Sequence, residues 1–172
     1  MKTAISLPDP LFRSADRLAK RLKVSRSLAK VLRQGRYDVT WDHAFDQVIA
    51  ACAAPRGGHN GTWLTPAMID AYCALHRLGV AHSVETWHQG KLAGGIYGVA
   101  LGGVFFGESM FSRRADASKV ALAHLARGLN DRGYNLIDCQ LYSEHLARLG
   151  AQSIARREFV TLLDQWCGET PA

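Results

Sequence analysis

Residues 91–106 read KLAGGIYGVALGGVFF, and this run decides the fold. It is apolar along most of its length, yet glycines interrupt it more often than a stable helix tolerates. The pattern predicts two strands with a turn near Gly102–Gly103. On the N-terminal side, Val80 to His88 alternates partly and joins the run through a Gln89–Gly90 turn, which extends it into a meander. On the C-terminal side, Asp116 is placed to cap a helix carrying Val120, Leu122, Leu125 and Leu129, closed by Gly133. Tyr134 to Leu141 then reads as a further, central strand, and short helices follow at about 143–149 and 156–165.

Upstream, residues 12–34 read as helix in two pieces. Ser25 caps the second, Leu28, Val31 and Leu32 form its apolar face, and Gly35 stops it. Tyr37, Val39 and Trp41 alternate as a short strand. Asp42 is placed to cap a helix holding Phe45, Val48, Ile49 and Cys52. Residues 55–61 (PRGGHNG) form a loop. Thr65–Pro66 then opens a helix through Ile69, Tyr72, Leu75 and Leu78. Helices, a meander, a helix, a strand and a helix, in that order, predict a mixed, mostly antiparallel α/β sheet flanked by helices.

The 172 residues are 48% hydrophobic and 21% charged, enough for one domain with a packed core. No apolar run approaches the ~18 residues of a membrane-spanning helix, and Met1 to Pro10 lacks a signal-peptide core. Cys52, Cys73, Cys139 and Cys167 include no CxxC pair, so they read as reduced thiols of a cytoplasmic protein. His76, His82 and His88 lie six residues apart across a helix end and a strand, which is not a ligand pattern. His124 and His145 read as ordinary helix residues. No metal is expected. Charge is concentrated at one end. Residues 1–36 carry ten Lys/Arg against Asp9 and Asp16, whereas the remainder carries eleven against thirteen Asp/Glu. The crowding of Lys20 to Arg36 is the footprint of a polyanion-binding surface or of a solvated basic helix face.

Polar residues among the strands are the chemical candidates. Glu108 follows Val104–Phe106, and Asp138 and Gln140 sit in the strand predicted around Leu136. Strand alternation would project Asp138 and Gln140 together and turn Cys139 away. A carboxylate and an amide in that position need partners, either in a structural hydrogen-bond network or in a site.

Several strings extend this reading. GTWLTP (61–66), LHRLGVAHSVE (75–85), GGIYGVALGGVFFGESMFSR (94–113), DASKVALAHL (116–125) and LIDCQ (136–140) resemble the leucyl/phenylalanyl-tRNA–protein transferases. So do VSRSLAKVLRQGRYDVT (24–40) and HLARLGAQSIARREF (145–159). The resemblance covers about 24–163 and implies a GNAT-like acyltransferase domain that uses aminoacyl-tRNA in place of acetyl-CoA. Members move Leu, Phe and sometimes Met onto the α-amino group of proteins beginning with Arg or Lys, making a degradation signal. They are typically monomeric, use no metal or small cofactor, and have no membrane partner.

By the same resemblance, Asp138 and Gln140 are the catalytic pair, and Glu108 engages the basic acceptor residue. Ile96, Phe105, Met110 and Leu125 line the pocket for the donor side chain. Trp63 stacks on the terminal adenosine. Arg26, Lys30 and Arg33 touch the acceptor-stem backbone. The chemistery is consistent with those residue types. An aminoacyl ester is already activated, so its aminolysis needs mainly positioning and a neutral amine.

The chain also departs from the family pattern. Where typical members have Trp-Trp-Ser-Pro-Asp-Pro, this chain has Ile5 to Pro10, and Gln34 replaces one basic position. Residues 1–12 are expected as a short arm, a remnant of a missing N-terminal domain, with the transferase domain spanning 13–172. Three readings follow: a short active transferase, a transferase with another acceptor, and a degenerate homologue. A non-catalytic tRNA-binding module is the alternative from another class. A CoA-dependent enzyme is disfavoured, because residues 112–115 (SRRA) lack the glycines of a pyrophosphate loop.

Overall fold

The computed structural model describes residues 2–6, 23–55, 63–140 and 143–168. The first predicted helical piece and the 56–61 part of the predicted loop lie outside those residues. Seven strands form one sheet: β1 (Lys2–Ser6), β2 (Asp38–Trp41), β3 (Ala81–His88), β4 (Lys91–Leu101), β5 (Val104–Ser112), β6 (Leu136–Asp138) and β7 (Gln152–Ile154). Their spatial order is β2-β3-β4-β5-β6-β1-β7. Every pairing is antiparallel except β5 with β6. This is the mixed, mostly antiparallel α/β sheet expected. Residues 2–6, read from sequence as part of an arm, supply a strand between β6 and β7.

Among the described residues six helices flank the sheet: α1 (Arg26–Arg33), α2 (Phe45–Ala53), α3 (Pro66–Arg77), α4 (Ala117–Asp131), α5 (Glu144–Arg148) and α6 (Arg156–Trp166). Ser25 caps α1 by accepting the Leu28 N–H, and Thr65 caps α3 by accepting the Met68 N–H. The long α4 covers one face of the sheet. Its Leu122, Leu125 and Leu129 share a cluster with Leu28, Val31, Ile96, Phe105 and Ile137. A second cluster gathers Phe45, Val48, Ile49, Leu64, Tyr97 and Phe111 beneath α2 and α3. Gln89 and Gly90, both at positive φ, make the tight turn between β3 and β4.

Two cap expectations differ. Asp42 does not cap α2. Its backbone turns left-handed at φ 54, and its carboxylate accepts the Ser83 N–H at 2.8 Å and pairs with His82. Asp116 does stand at the head of α4, but at φ 65 its side chain reaches Lys119 Nζ at 2.7 Å rather than a helix N–H. The strand predicted over Tyr134 to Leu141 is also shorter, because it ends at Asp138. Leu78, placed on the apolar face of α3, lies beyond that helix and is exposed.

Candidate active site

The four residues expected to line a donor pocket come together in one cluster. Ile96 on β4 stands opposite Met110 on β5. Leu125 reaches the same cluster from α4, and Phe105 fills it from β5. Phe105 and Met110 are five residues apart, and a regular strand would put them on opposite faces. A β-bulge resolves this. Ser109 faces Tyr97 and Gly107 faces Gly98, so β5 carries one extra residue, Glu108. The bulge shifts the alternation and brings Met110 to Phe105's face. Gly98 is required here, since any side chain on it would run into the Phe106 carbonyl and the Phe105 ring.

Asp138 and Gln140 are also adjacent, but not by strand alternation. β6 ends at Asp138, and Gln140 has φ 63. The Asp138 carboxylate, 1% exposed, accepts the Gln140 N–H at 2.9 Å. An aspartate bonding the backbone two residues on forms an Asx turn. It offsets the ~1 kcal/mol cost of a left-handed non-glycine residue. The carboxylate therefore shapes the turn that presents Gln140. Cys139 between them is an ordinary thiol pushed up to about 12, by burial first and by the Asp138 charge second.

Glu108 has a partner that sequence reasoning missed. The Tyr72 hydroxyl on α3 donates a hydrogen bond to it. Burial, with the Glu108 charge second, pushes the Tyr72 phenol up to about 12, so it stays a donor throughout the physiological range. The Tyr72 ring meets Trp63 edge-on at 6.3 Å between centroids and Tyr97 at 5.3 Å. Trp63 itself is 49% exposed. Tyr97 is fully buried, and its hydroxyl has no hydrogen-bond partner among the described residues. Tyr72 reads in sequence as one more apolar-face residue of α3. The available signal was its phenol, because a half-buried tyrosine hydroxyl usually finds a partner.

Arg26, Lys30 and Arg33 project from the exposed face of α1, while Leu28 and Val31 anchor the opposite face in the cluster under α4. Positions i, i+4 and i+7 align them as a row. The basic row is thus the outer surface of a helix whose inner surface joins the cluster holding Ile96, Phe105 and Leu125.

A separate cluster lies at the N-terminal end of β3. His82 Nδ1 is 2.8 Å from Asp42 Oδ2, and His76 Nδ1 is 3.8 Å from Asp42 Oδ1. The hydrogen bond to Asp42 raises the His82 pKa against the effect of burial. Burial would raise the Asp42 pKa, but bonds from His82 and Ser83 bring it below the ordinary carboxylate value. Among the described residues no group of three or more His, Cys, Asp or Glu is arranged to hold a metal ion.

Comparison with known proteins bears on this arrangement. Residues 18–164 match the model of the family described as leucyl/phenylalanyl-tRNA protein transferase. A protein of that name from Chromohalobacter salexigens is 62% identical over 145 residues, covering 84% of this chain and 57% of its own length. One from Chromobacterium violaceum is 56% identical, covering 84% and 62%, and one from Azoarcus is 57% identical, covering 87% and 64%. The chain thus spans about three fifths of the length of the curated relatives it matches. Among solved structures, a GCN5-related N-acetyltransferase-like protein from Streptococcus suis is similar at a TM-score of 0.45 and 16% identity, covering 89% of this chain and 58% of that one. A ribosomal-protein-alanine N-acetyltransferase from Brucella melitensis scores 0.42 at 16% identity, covering 75% and 89%. With the family model matched across 18–164 and relatives identical at more than half of the aligned positions, the chain belongs to the leucyl/phenylalanyl-tRNA protein transferase family.

Proposed function

We propose that this chain is an aminoacyltransferase that moves Leu or Phe from aminoacyl-tRNA to the α-amino group of proteins beginning with Arg or Lys. The observation that carries this reading is the Asp138 turn, which presents Gln140 beside the strand bearing Glu108. The amine nitrogen attacks the ester carbonyl carbon, a C–N bond forms, and the C–O bond to the terminal ribose breaks. The proton lost by the amine ends on the departing ribose oxygen. Gln140 contacts the reacting amine or carbonyl, and Asp138 holds the backbone that aims it. Glu108 takes the cationic acceptor side chain.

The donor side chain enters the pocket of Ile96, Phe105, Met110 and Leu125. Such a pocket separates side chains by only ~1–3 kcal/mol per methylene, so Met enters as well. Trp63 stacks on the terminal adenosine, and Arg26, Lys30 and Arg33 hold backbone phosphates. The product is a destabilised N-terminus read by the bacterial degradation machinery. The working unit is a monomer in the cytoplasm that needs no metal or small cofactor. Among the described residues no helix is long and apolar enough to cross a membrane.

The test is transfer from labelled Leu-tRNA and Phe-tRNA to peptides beginning with Arg, Lys or Ala. Transfer to Arg and Lys peptides but not to the Ala peptide is expected. Salt-sensitive tRNA binding without transfer to any peptide would instead make the chain a binding module or give it another acceptor.

A further inference from the structure

Tyr72 touches both halves of the site. Its hydroxyl donates to Glu108, and its ring edge lies against Trp63. The ring is held from behind by the buried Tyr97, whose own ring meets Phe45 at 5.7 Å. α3 is in turn fixed at its start by Thr65 and Pro66, immediately after Trp63 and Leu64. One short helix therefore carries the hydroxyl that aims the acceptor carboxylate and the ring that braces the stacking tryptophan.

We propose that Tyr72 is a positioning residue that sets the acceptor and donor subsites together, its hydroxyl acting on Glu108 and its ring on Trp63. This rests on the transferase reading above. The two functions sit on different atoms of one side chain, so they separate on substitution. Tyr72→Phe keeps the ring and removes the donor. Tyr72→Leu removes both. A hydrogen bond to a charged group is worth about a tenfold change in binding.

The experiment uses the full chain and two readouts. In the transfer assay, Tyr72→Phe is expected to raise the KM for an Arg-initiated peptide about tenfold while leaving the KM for aminoacyl-tRNA unchanged. Tyr72→Leu is expected to raise both. In parallel, arginine amide is titrated while the Trp63 indole N–H is followed by NMR, assigned through Trp63→Phe. It is expected to shift that signal in the unsubstituted chain and in Tyr72→Phe, with weaker affinity in the latter, and to leave it unmoved in Tyr72→Leu. Thermal melting of each variant identifies loss of fold. An unchanged peptide KM in Tyr72→Phe overturns the proposal, as does an equal rise in both KM values. If the unsubstituted chain transfers nothing, the transferase reading fails. The titration then decides Tyr72 alone: weaker arginine amide binding in Tyr72→Phe supports it, and equal or absent binding in both chains overturns it.

Discussion

The proposed donor pocket and the proposed acceptor end share β5 but are built by different means. The pocket is core: Ile96, Phe105 and Leu125 are buried in the main cluster, and their removal opens a hole in the fold. The acceptor end is made of departures from regular structure, namely the bulge at Glu108 and the left-handed turn at Gln140. On the proposed function, donor choice is therefore bound to stability, whereas the acceptor end can change with less cost to the core.

Leu125→Ala tests the first half most severely. A fully buried leucine replaced by alanine costs ~2–5 kcal/mol of stability. Urea unfolding should show that loss, and the surviving enzyme should discriminate less between donor side chains. Equal stability would break the comparison. The acceptor half should behave in the opposite way. Asp138→Asn can still accept the Gln140 N–H but loses the charge, and transfer should fall about tenfold; Asp138→Ala also loses the turn and should fall about a hundredfold. Both variants should keep most of their cooperative unfolding, checked in the same urea series.

A smaller effect concerns the outer surface. Lys30→Gln removes one proposed phosphate contact and should lower the slope of log affinity for tRNA against log salt by about 1, without altering preference among donors. The smallest concerns His82, whose partner Asp42 belongs to neither half. Its raised pKa means that its pairing with Asp42 stabilises the fold fully below the ordinary histidine value of 6.5. That contribution fades as pH rises through the raised folded value. Asp42, with its lowered pKa, contributes above 3.8 and loses that contribution as pH falls through its folded value. His82→Gln should flatten the upper arm of the stability profile by under ~1 kcal/mol, because the pair is partly exposed. Transfer should be unaffected.

Much of the fold was legible because periodicity and turn residues agree. Gln89–Gly90, Gly102–Gly103 and Thr65–Pro66 each punctuate the chain where a strand or helix begins or ends. The site was legible as residue types but not as geometry. The i, i+2 rule paired Asp138 with Gln140 for the wrong reason, since β6 stops between them and an Asx turn takes over. The bulge at Glu108 is equally silent, because one extra residue in a strand changes no local composition. Tyr72 was hidden in an apolar stripe, since only tertiary packing shows where its hydroxyl points. Asp42 shows the converse: it has the residue type of a cap, but a long-range bond to Ser83 took the carboxylate.

The strand β1 sits between β6 and β7, with Ala4 beside Asp138 and Gln152. Its partners therefore emerge well after it during synthesis, and pairings this distant along a chain form slowly. The meander of β3, β4 and β5, with α4 over it, closes through local contacts. The proposed donor pocket should thus exist before the proposed acceptor end is framed. During refolding, burial of the core should run ahead of recovered activity, and the interval between them would measure how long the last strand takes to arrive.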